Sequence, residues 1–218
     1  MRVRAIVFDF DGVLADSEPL HLAACQQVFA SVGVELTREE YYAKYLGYDD
    51  ETMFAVLGRE RGWDLDAGQI AELIAEKARI FDAIIEERDV LFPGAADCVA
   101  RLAADFPLGI ASGALRHEIE LILRRARLDH HIRFIVASGD TPNSKPSPDP
   151  YARAAELHGL PPSACVAIED SRWGIESAKA AGLRCVAITH TYPASALTAA
   201  DRVIPSLADF TTDLIRSL

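Results

Sequence analysis

The chain has 218 residues, of which 50% are hydrophobic and 25% are charged, and its formal net charge is −11 at pH 7. This balance is typical of a globular chain with a sizeable buried core and excludes a mainly disordered one. A surface this acidic also disfavours nucleic acid and anionic membranes as partners.

The N-terminal segment and the cysteines indicate where the protein is found. No uninterrupted apolar run is long enough to span a bilayer, and aspartates interrupt the first apolar stretch, so we expect no membrane segment and no signal peptide. The cysteines form no close-spaced metal motif, and we expect reduced core thiols in a cytoplasmic protein. They are Cys25, Cys98, Cys165 and Cys185.

The chain begins with a short β-rich run at residues 3–9, which ends in the turn signal Asp9-Phe10-Asp11-Gly12. Ser17 is predicted to cap a helix that runs to about Val32. From there to about residue 87 only helical periodicities occur, the clearest over residues 67–87. Most of the net negative charge lies in this stretch.

Strand-like runs return in the second half of the chain and alternate with helical patterns. The predicted strands are 108–112, 133–138, 164–170 and 184–189, and the predicted helices are 94–105, 114–127, 148–158 and 173–181. This alternation predicts an α/β fold with a parallel sheet. We therefore predict an α/β core of residues 1–15 and 87–218, interrupted by an all-helical domain of residues 16–86.

Ligands of an open parallel sheet bind beyond the carboxyl ends of its strands, so the polar residues that close each strand are the candidates for chemistry. Asp9 and Asp11 close the first strand, and Glu169 and Asp170 close the fourth. Neighbouring carboxylates repel unless a cation or a proton lies between them, and an oxygen-rich pocket suits Mg²⁺. The alternatives are a solvated Asp-Gly turn and a helix N-cap at Asp170 or Ser171.

Two further strand exits carry groups that could hold an anion. Ser112 and Gly113 offer a hydroxyl and backbone N–H groups after the second strand, a signal that is weak by itself, and a simple N-cap is the favoured alternative. Lys145 lies in a proline-stiffened loop, where its compact ammonium could neutralise a phosphate and the surrounding carboxylates. An ordinary surface lysine is the alternative for Lys145.

Together these segments resemble a known family. DFDGVLADSE, IASGA, SKPSPDPY and IEDSRWGIESAKAAG resemble the four ordered motifs of the haloacid dehalogenase superfamily. The resemblance covers essentially the whole core, and a helical cap after the first motif matches subfamily I, with most likeness to the phosphatases grouped with β-phosphoglucomutase. It implies a Rossmann-like three-layer core with an inserted all-helical cap.

The resemblance also implies roles for these residues. Asp9 would be the nucleophile that forms an aspartyl-phosphate, and Asp11 would act as general acid and base. Ser112 and Lys145 would hold the transferring phosphoryl group. Mg²⁺ would bind the carboxylates of Asp9 and Asp170 and the backbone carbonyl of Asp11, with Glu169 nearby or acting through water. Dehalogenase and phosphonatase members lack the second aspartate, so Asp11 favours phosphate-ester chemistry.

Substrate recognition is assigned less directly. Lys77 lies on the apolar stripe of the 67–87 helix, where it either snorkels to solvent or points towards the substrate. His21 resembles a family position near the hinge helix, with a structural, partly buried histidine as the alternative. Gly113 and Arg116 follow the motif-two serine and are the remaining candidates for substrate binding.

We therefore predict a monomeric, cytoplasmic, Mg²⁺-dependent phosphatase acting on a small phosphorylated metabolite. The alternative is a β-phosphoglucomutase-like mutase, which needs a site for a second phosphate. An aspartate stands in the cap loop 46–51 where mutases carry an arginine, and Ala114 and Leu115 follow Gly113, although Arg116 could compensate. A different class, a non-catalytic phospho-acceptor module, has no helical cap and no use for an acid and base such as Asp11.

Overall fold

The computed structural model describes residues 2–45 and 50–218. The chain divides into two compact units, which we call the α/β unit (Met1–Asp16 with Val90–Leu218) and the helical unit (Ser17–Asp89). The cap-loop positions at 46–49, which include Asp49, lie outside the described residues.

The α/β unit is built on a parallel six-stranded sheet in the order β3-β2-β1-β4-β5-β6. The strands are β1 (Ala5–Phe8), β2 (Leu108–Ala111), β3 (Ile132–Val136), β4 (Cys165–Glu169), β5 (Arg184–Ile188) and β6 (Arg202–Ile204). β1, β2 and β4 are buried at every position. Such near-continuous apolar runs are typical of strands that are covered on both faces, and the predicted α/β class is confirmed.

Helices connect these strands and flank the sheet. The helices of the α/β unit are α5 (Ala95–Ala103), α6 (Arg116–Arg125), α7 (Asp149–His158), α8 (Arg172–Ala180) and α9 (Thr212–Ser217). The side chain of Ser171 accepts a hydrogen bond from the Gly174 N–H and caps α8. The four cysteines are free and buried, as predicted.

The helical unit shows no strand among its described residues. Its helices are α1 (Glu18–Ser31), α2 (Arg38–Glu40), α3 (Asp50–Glu60) and α4 (Ala67–Glu87), with a π-helical turn at Tyr41–Tyr45. A capping box between Asp66 and Gln69 fixes the start of α4, and its stripe places Lys77, Phe81 and Ile85 inside the unit. Within residues 2–45 and 50–218, no helix has both the length and the apolar composition needed to cross a membrane.

The structure differs from the predicted elements at three places. Ser17 precedes α1 but makes no capping hydrogen bond, because its backbone is helical (φ −84°, ψ −22°) rather than extended. β6 and α9 follow the last predicted strand and were not predicted. β6 has only three residues, of which Arg202 and Val203 are exposed, so it lacks the apolar run that reveals a buried strand.

Candidate active site

Three buried carboxylates meet at the carboxyl ends of two neighbouring strands. Asp9 follows β1, and its N–H donates a 3.0 Å hydrogen bond to Ile168 O in β4. Glu169 ends β4 and Asp170 follows it. Oxygen atoms of Asp9, Glu169 and Asp170 lie within 4.8 Å of one another. The pairing of β1 with β4 therefore brings together acids that are 160 positions apart in sequence.

Lys145 joins this cluster from the loop after β3. Its Nζ lies 2.8 Å from Asp9 Oδ1 and 2.6 Å from Glu169 Oε1. Asn143 Nδ2 donates a hydrogen bond of 2.9 Å to Asp149 Oδ2 across the loop that carries the lysine. Lys145 is therefore part of the site rather than an ordinary surface lysine.

One ammonium does not offset three buried carboxylates. Burial and the nearby Glu169 carboxylate raise the pKa of Asp9 well above its usual range, although Lys145 opposes this shift. Burial and Glu169 likewise raise the pKa of Asp170 to about 7. Burial lowers the pKa of Lys145, but Asp9 and Glu169 raise it more, so the lysine pKa lies above its ordinary value. The cluster therefore has too little positive charge to keep all three carboxylates ionised at their usual pKa values.

This donor set fits a hard divalent cation. Carboxylate oxygens from Asp9 and Asp170 are close enough to share an ion, and Mg²⁺ is bound in proteins through one or two carboxylates. A divalent ion would also supply the missing charge and favour the ionised forms of both aspartates.

Asp11 lies outside the carboxylate cluster, although the turn that carries it is closely packed against the site. Its side chain is partly exposed. Gly12 has φ +75°, and an added Cβ there would overlap Asp170 Oδ2, so only glycine fits this position. The ring of His190 hydrogen-bonds Gly12 O through Nδ1 at 3.1 Å and fixes the turn from the other side.

The turn after β2, which carries Ser112 and Gly113, does not begin a helix directly. The Ser112 N–H donates to Val136 O at 2.9 Å, and the Ala114 N–H donates to Ser112 Oγ at 3.1 Å. The N–H groups on both sides of Gly113 are thus engaged. Helix α6 begins only at Arg116, with Leu115 at the N-cap position, so Ser112 does not cap it.

Arg116 is held by its own unit. Its guanidinium donates to Asp140 Oδ2 at 2.6 Å and to Ile135 O at 2.8 Å. The Asp140 carboxylate also accepts the Ala137 N–H at 2.8 Å, so it is tied to the end of β3. The guanidinium charge of Arg116 is therefore already paired with the Asp140 carboxylate.

The two candidates in the helical unit also have close neighbours within that unit. Lys77 is buried, and its Nζ lies 2.5 Å from Asp50 Oδ1, so it does not snorkel to solvent. The ring of His21 stacks on Phe81 at 4.1 Å between centroids. Burial, reinforced by the Lys77 charge, lowers the pKa of His21 to about 3, so this histidine is neutral at ordinary pH.

Three residues of the site were not predicted from the sequence. The Tyr151 hydroxyl donates a 2.7 Å hydrogen bond to Glu169 Oε1, and the side chain of Thr191 hydrogen-bonds Asp170. An added Cβ at Gly174 would overlap the Glu169 carboxylate, so this glycine allows α8 to approach it. Thr191 follows β5, a strand exit that the sequence reasoning did not examine, and Tyr151 directly follows the lysine loop.

Comparisons with known proteins agree with this arrangement. A family model for haloacid dehalogenase-like hydrolases matches residues 6–188. Protein CbbY from Rhodobacter capsulatus is 34% identical over the full length of both chains. Hexitol phosphatase B from Escherichia coli strain K12 is 31% identical, over 86% of this chain and 84% of its own.

A solved structure gives the same result at the level of the fold. An aspartate-to-asparagine variant of CbbY from Rhodobacter sphaeroides, in complex with xylulose-(1,5)-bisphosphate, superposes with a TM-score of 0.85 at 31% identity. The superposition covers 99% of this chain and 100% of that one. The predicted enzyme class, a phosphoric monoester hydrolase, is confirmed. The chain belongs to the haloacid dehalogenase-like hydrolase family.

Proposed function

We propose that this protein is an Mg²⁺-dependent phosphatase that hydrolyses a small phosphorylated sugar or similar monoester through an aspartyl-phosphate on Asp9. The observation that carries the proposal is the Asp9 carboxylate itself, which lies at a strand end, 2.8 Å from the Lys145 ammonium and within 4.8 Å of carboxylate oxygens of Glu169 and Asp170. Phosphoryl transfer from an anionic ester to an anionic nucleophile requires compensating positive charge, which we assign to Lys145 together with a bound cation.

The first half-reaction transfers the phosphoryl group to the protein. A carboxylate oxygen of Asp9 attacks phosphorus in line with the ester oxygen, an Asp9–phosphorus bond forms and the bond to the ester oxygen breaks. Asp11 donates its proton to the departing alkoxide, which leaves as the alcohol. The partly exposed side chain of Asp11, on the turn next to Asp9, suits a group that must reach the substrate.

The second half-reaction restores Asp9. The Asp11 carboxylate takes a proton from a water molecule, whose oxygen attacks phosphorus and displaces the Asp9 carboxylate. Inorganic phosphate leaves. In both steps the Lys145 ammonium and the Ser112 hydroxyl stabilise the charge on the phosphoryl oxygens, aided by the N–H of Gly113.

The residues that would hold Mg²⁺ are Asp9 and Asp170 through their carboxylates and Asp11 through its backbone carbonyl, with Glu169 nearby. When bound, the ion supplies positive charge that lets the anionic substrate approach the anionic nucleophile. Thr191 and the backbone at Gly12 keep Asp170 in place for this purpose.

For the substrate, we propose a monophosphate in preference to a mutase substrate that needs a second phosphate site. The two cations that the sequence suggested for substrate binding are already paired, Lys77 with Asp50 and Arg116 with Asp140. Freeing either cation would cost the ion pair. A sugar bisphosphate remains in the test set, because a CbbY relative was solved with xylulose-(1,5)-bisphosphate.

The free, buried cysteines support a cytoplasmic location, and the monomeric state stays a prediction.

A phosphate-release assay across a panel of esters tests the function. The panel contains hexitol and hexose phosphates, phosphoglycolate, xylulose-(1,5)-bisphosphate, nucleotides and a chromogenic ester, each assayed with Mg²⁺ and with chelator. We expect Mg²⁺-dependent release that is fastest with one sugar phosphate. Interconversion of hexose phosphate isomers without net release, after priming by a bisphosphate, would contradict the proposal and make the protein a mutase.

Metal binding is expected to depend on pH. Because the pKa of Asp170 is raised to about 7 in the metal-free protein, a proton competes with Mg²⁺ below that pH. We expect half-maximal stabilisation at pH 6 to need about tenfold more Mg²⁺ than at pH 8. The unfolding temperature, followed against Mg²⁺ concentration at both pH values, measures this.

The raised pKa of Asp170 determines how the stability of the metal-free protein changes with pH. A carboxyl whose pKa is raised by folding stabilises the metal-free fold below its unfolded pKa, and this contribution is lost as the pH rises through the folded value. Mg²⁺ therefore stabilises most where the proton has left. Asp170→Asn is the control and should lose most of the Mg²⁺ effect at both pH values. Equal Mg²⁺ requirements at pH 6 and pH 8 in the unmodified chain would refute the expected competition.

A further inference from the structure

Tyr151 places a hydroxyl group inside the site from the interior of the α/β unit. The residue lies in the first turn of α7, has no exposed surface, and packs its ring in the core among residues of the sheet and of α8. A buried tyrosine hydroxyl requires a hydrogen-bond partner. Its partner here is Glu169 Oε1, at 2.7 Å, so the core residue reaches the chemistry through one defined contact.

The same carboxylate oxygen also accepts a hydrogen bond from Lys145. Lys145 Nζ donates to Glu169 Oε1 at 2.6 Å, so this oxygen accepts two donors, which matches its two lone pairs. The other oxygen, Oε2, accepts from Ser171 Oγ at 3.3 Å and from the Asp170 N–H at 3.2 Å. The carboxylate therefore has a fixed orientation, with Oε1 turned to Tyr151 and Lys145.

The surroundings leave this carboxylate little freedom to rotate. Glu169 has no exposed surface, and the backbone of Gly174 approaches it so closely that an added Cβ would overlap its carboxylate. Lys145 Nζ also lies over the Tyr151 ring, 5.0 Å from the ring centroid. Tyr151 and Gly174 thus restrict the Glu169 carboxylate, which in turn holds the Lys145 ammonium.

Lys145 is shared between two acids, and the balance between them decides where its charge lies. It is 2.8 Å from Asp9 Oδ1 and 2.6 Å from Glu169 Oε1. A hydrogen bond donated to Glu169 Oε1 reduces the negative charge that this oxygen offers to the ammonium. Without that donor, Glu169 would draw the lysine more strongly and away from Asp9.

We infer that Tyr151 is a positioning residue, whose hydroxyl holds Glu169 Oε1 and thereby keeps the Lys145 ammonium next to Asp9. The inference rests on the proposed function, since it assigns Tyr151 to the same phosphoryl-transfer site. It gives Glu169 Oε1 to lysine placement and leaves Asp9 and Asp170 as the carboxylates available to the metal.

Tyr151→Phe tests the role, because it deletes the hydroxyl and keeps the ring. We expect kcat to fall about threefold to tenfold, the change that the loss of one hydrogen bond to a placed group produces. KM for the substrate should stay within about twofold, because the deleted hydrogen bond joins two protein groups, Tyr151 and Glu169, and makes no contact of its own with the substrate. Steady-state kinetics on the best ester of the panel measures both values.

Tyr45→Phe is the matched control. Tyr45 is also a buried tyrosine whose hydroxyl donates to a glutamate, Glu60 Oε2 at 2.7 Å, but it lies in the helical unit and has no part in the proposed chemistry. Its kcat should equal that of the unmodified protein. An equal loss in Tyr45→Phe and Tyr151→Phe would show a general stability effect and overturn the inference.

A double-mutant cycle with Lys145→Met shows whether Tyr151 acts through the lysine. In the Lys145→Met background the residual kcat should fall less than about twofold on adding Tyr151→Phe, since the group to be positioned is gone. The same fold-loss in both backgrounds, or no loss in the unmodified one, would overturn the inference.

The cycle also separates failure of the inference from failure of the function. If no ester of the panel is hydrolysed, the proposed function fails. The contact is then still measured through unfolding equilibria of the four chains without metal, where Tyr151→Phe should change the unfolding constant several-fold more in the Lys145→Met background, because the buried Glu169 Oε1 has by then already lost the lysine as a donor. Equal changes in both backgrounds would remove the coupling, whatever the enzyme does.

Discussion

Replacing Asp9 with asparagine is expected to abolish phosphate release. The amide has nearly the shape of the carboxylate but carries no charge, so it cannot form the aspartyl-phosphate. We expect kcat to fall by at least about 10³-fold, since loss of a nucleophile removes the covalent route altogether. Phosphate release from the best ester measures this, and acid quenching should trap a phosphoprotein only with the unmodified chain.

The same substitution should leave the fold intact and make the metal-free protein no less stable. The pKa of Asp9 is raised mainly by burial and then by Glu169, so its ionised form is disfavoured in the folded state. Asparagine removes that negative charge and leaves Lys145 paired with Glu169. The unfolding temperature in chelator should therefore equal or exceed that of the unmodified chain.

Asp129→Asn provides the control for a change of charge alone. Asp129 lies at the surface of the α/β unit, with 55% of its side chain exposed, and its substitution should change neither turnover nor unfolding temperature measurably. Turnover by Asp9→Asn above about a hundredth of the normal rate would contradict a nucleophilic role for Asp9.

The strand-helix order and the strand-end residues of the candidate site were predictable from the sequence for a physical reason. Buried parallel strands have continuous apolar runs, and any charged residue at their ends stands out against them. Asp9, Glu169 and Asp170 were found in this way. The proline-stiffened loop and the resemblance to the family motifs predict Lys145 as a member of the same site, and its contacts with Asp9 and Glu169 agree.

What the sequence did not reveal depends on long-range packing. Tyr151 and Gly174 are ordinary helix residues by local pattern, and only the approach of α7 and α8 to Glu169 gives them a role. The partners of Lys77 and Arg116 were also invisible, because Asp50 and Asp140 lie 27 and 24 positions away. Their positions in the sequence predict Lys77 and Arg116 as candidates for substrate binding, and their neighbours decide whether the charge is available.

Replacing Lys145 with methionine is expected to lower both activity and stability. Methionine keeps much of the length of the side chain and removes the ammonium that we propose stabilises the transferring phosphoryl group, which should cost about 10²–10³-fold in kcat. It also leaves Asp9 and Glu169 buried without their cation. Removing one partner of a buried ion pair typically destabilises a protein by about 3–5 kcal/mol.

The loss of stability should depend on pH, and this dependence distinguishes charge from packing. Without Lys145 the pKa of Asp9 rises further, so Asp9 can escape the penalty at low pH by binding a proton. Its contribution to stability is present below the unfolded pKa and is lost as the pH rises through the folded value. Denaturant unfolding in chelator should therefore show a larger deficit at pH 8 than at pH 5.

Two companion variants complete the argument for Lys145. Lys179 forms an ion pair with Asp201 at 2.7 Å, nearly the same length as the 2.8 Å pair of Lys145 with Asp9. The side chain of Lys179, however, is 39% exposed. Lys179→Met should therefore cost no more than about 1 kcal/mol at either pH. Lys145→Arg keeps the charge in a larger, planar group, so it should restore stability more than kcat. A deficit in Lys145→Met that is equal at pH 5 and pH 8 would mean that lost packing, and not the unpaired carboxylates, determines its stability.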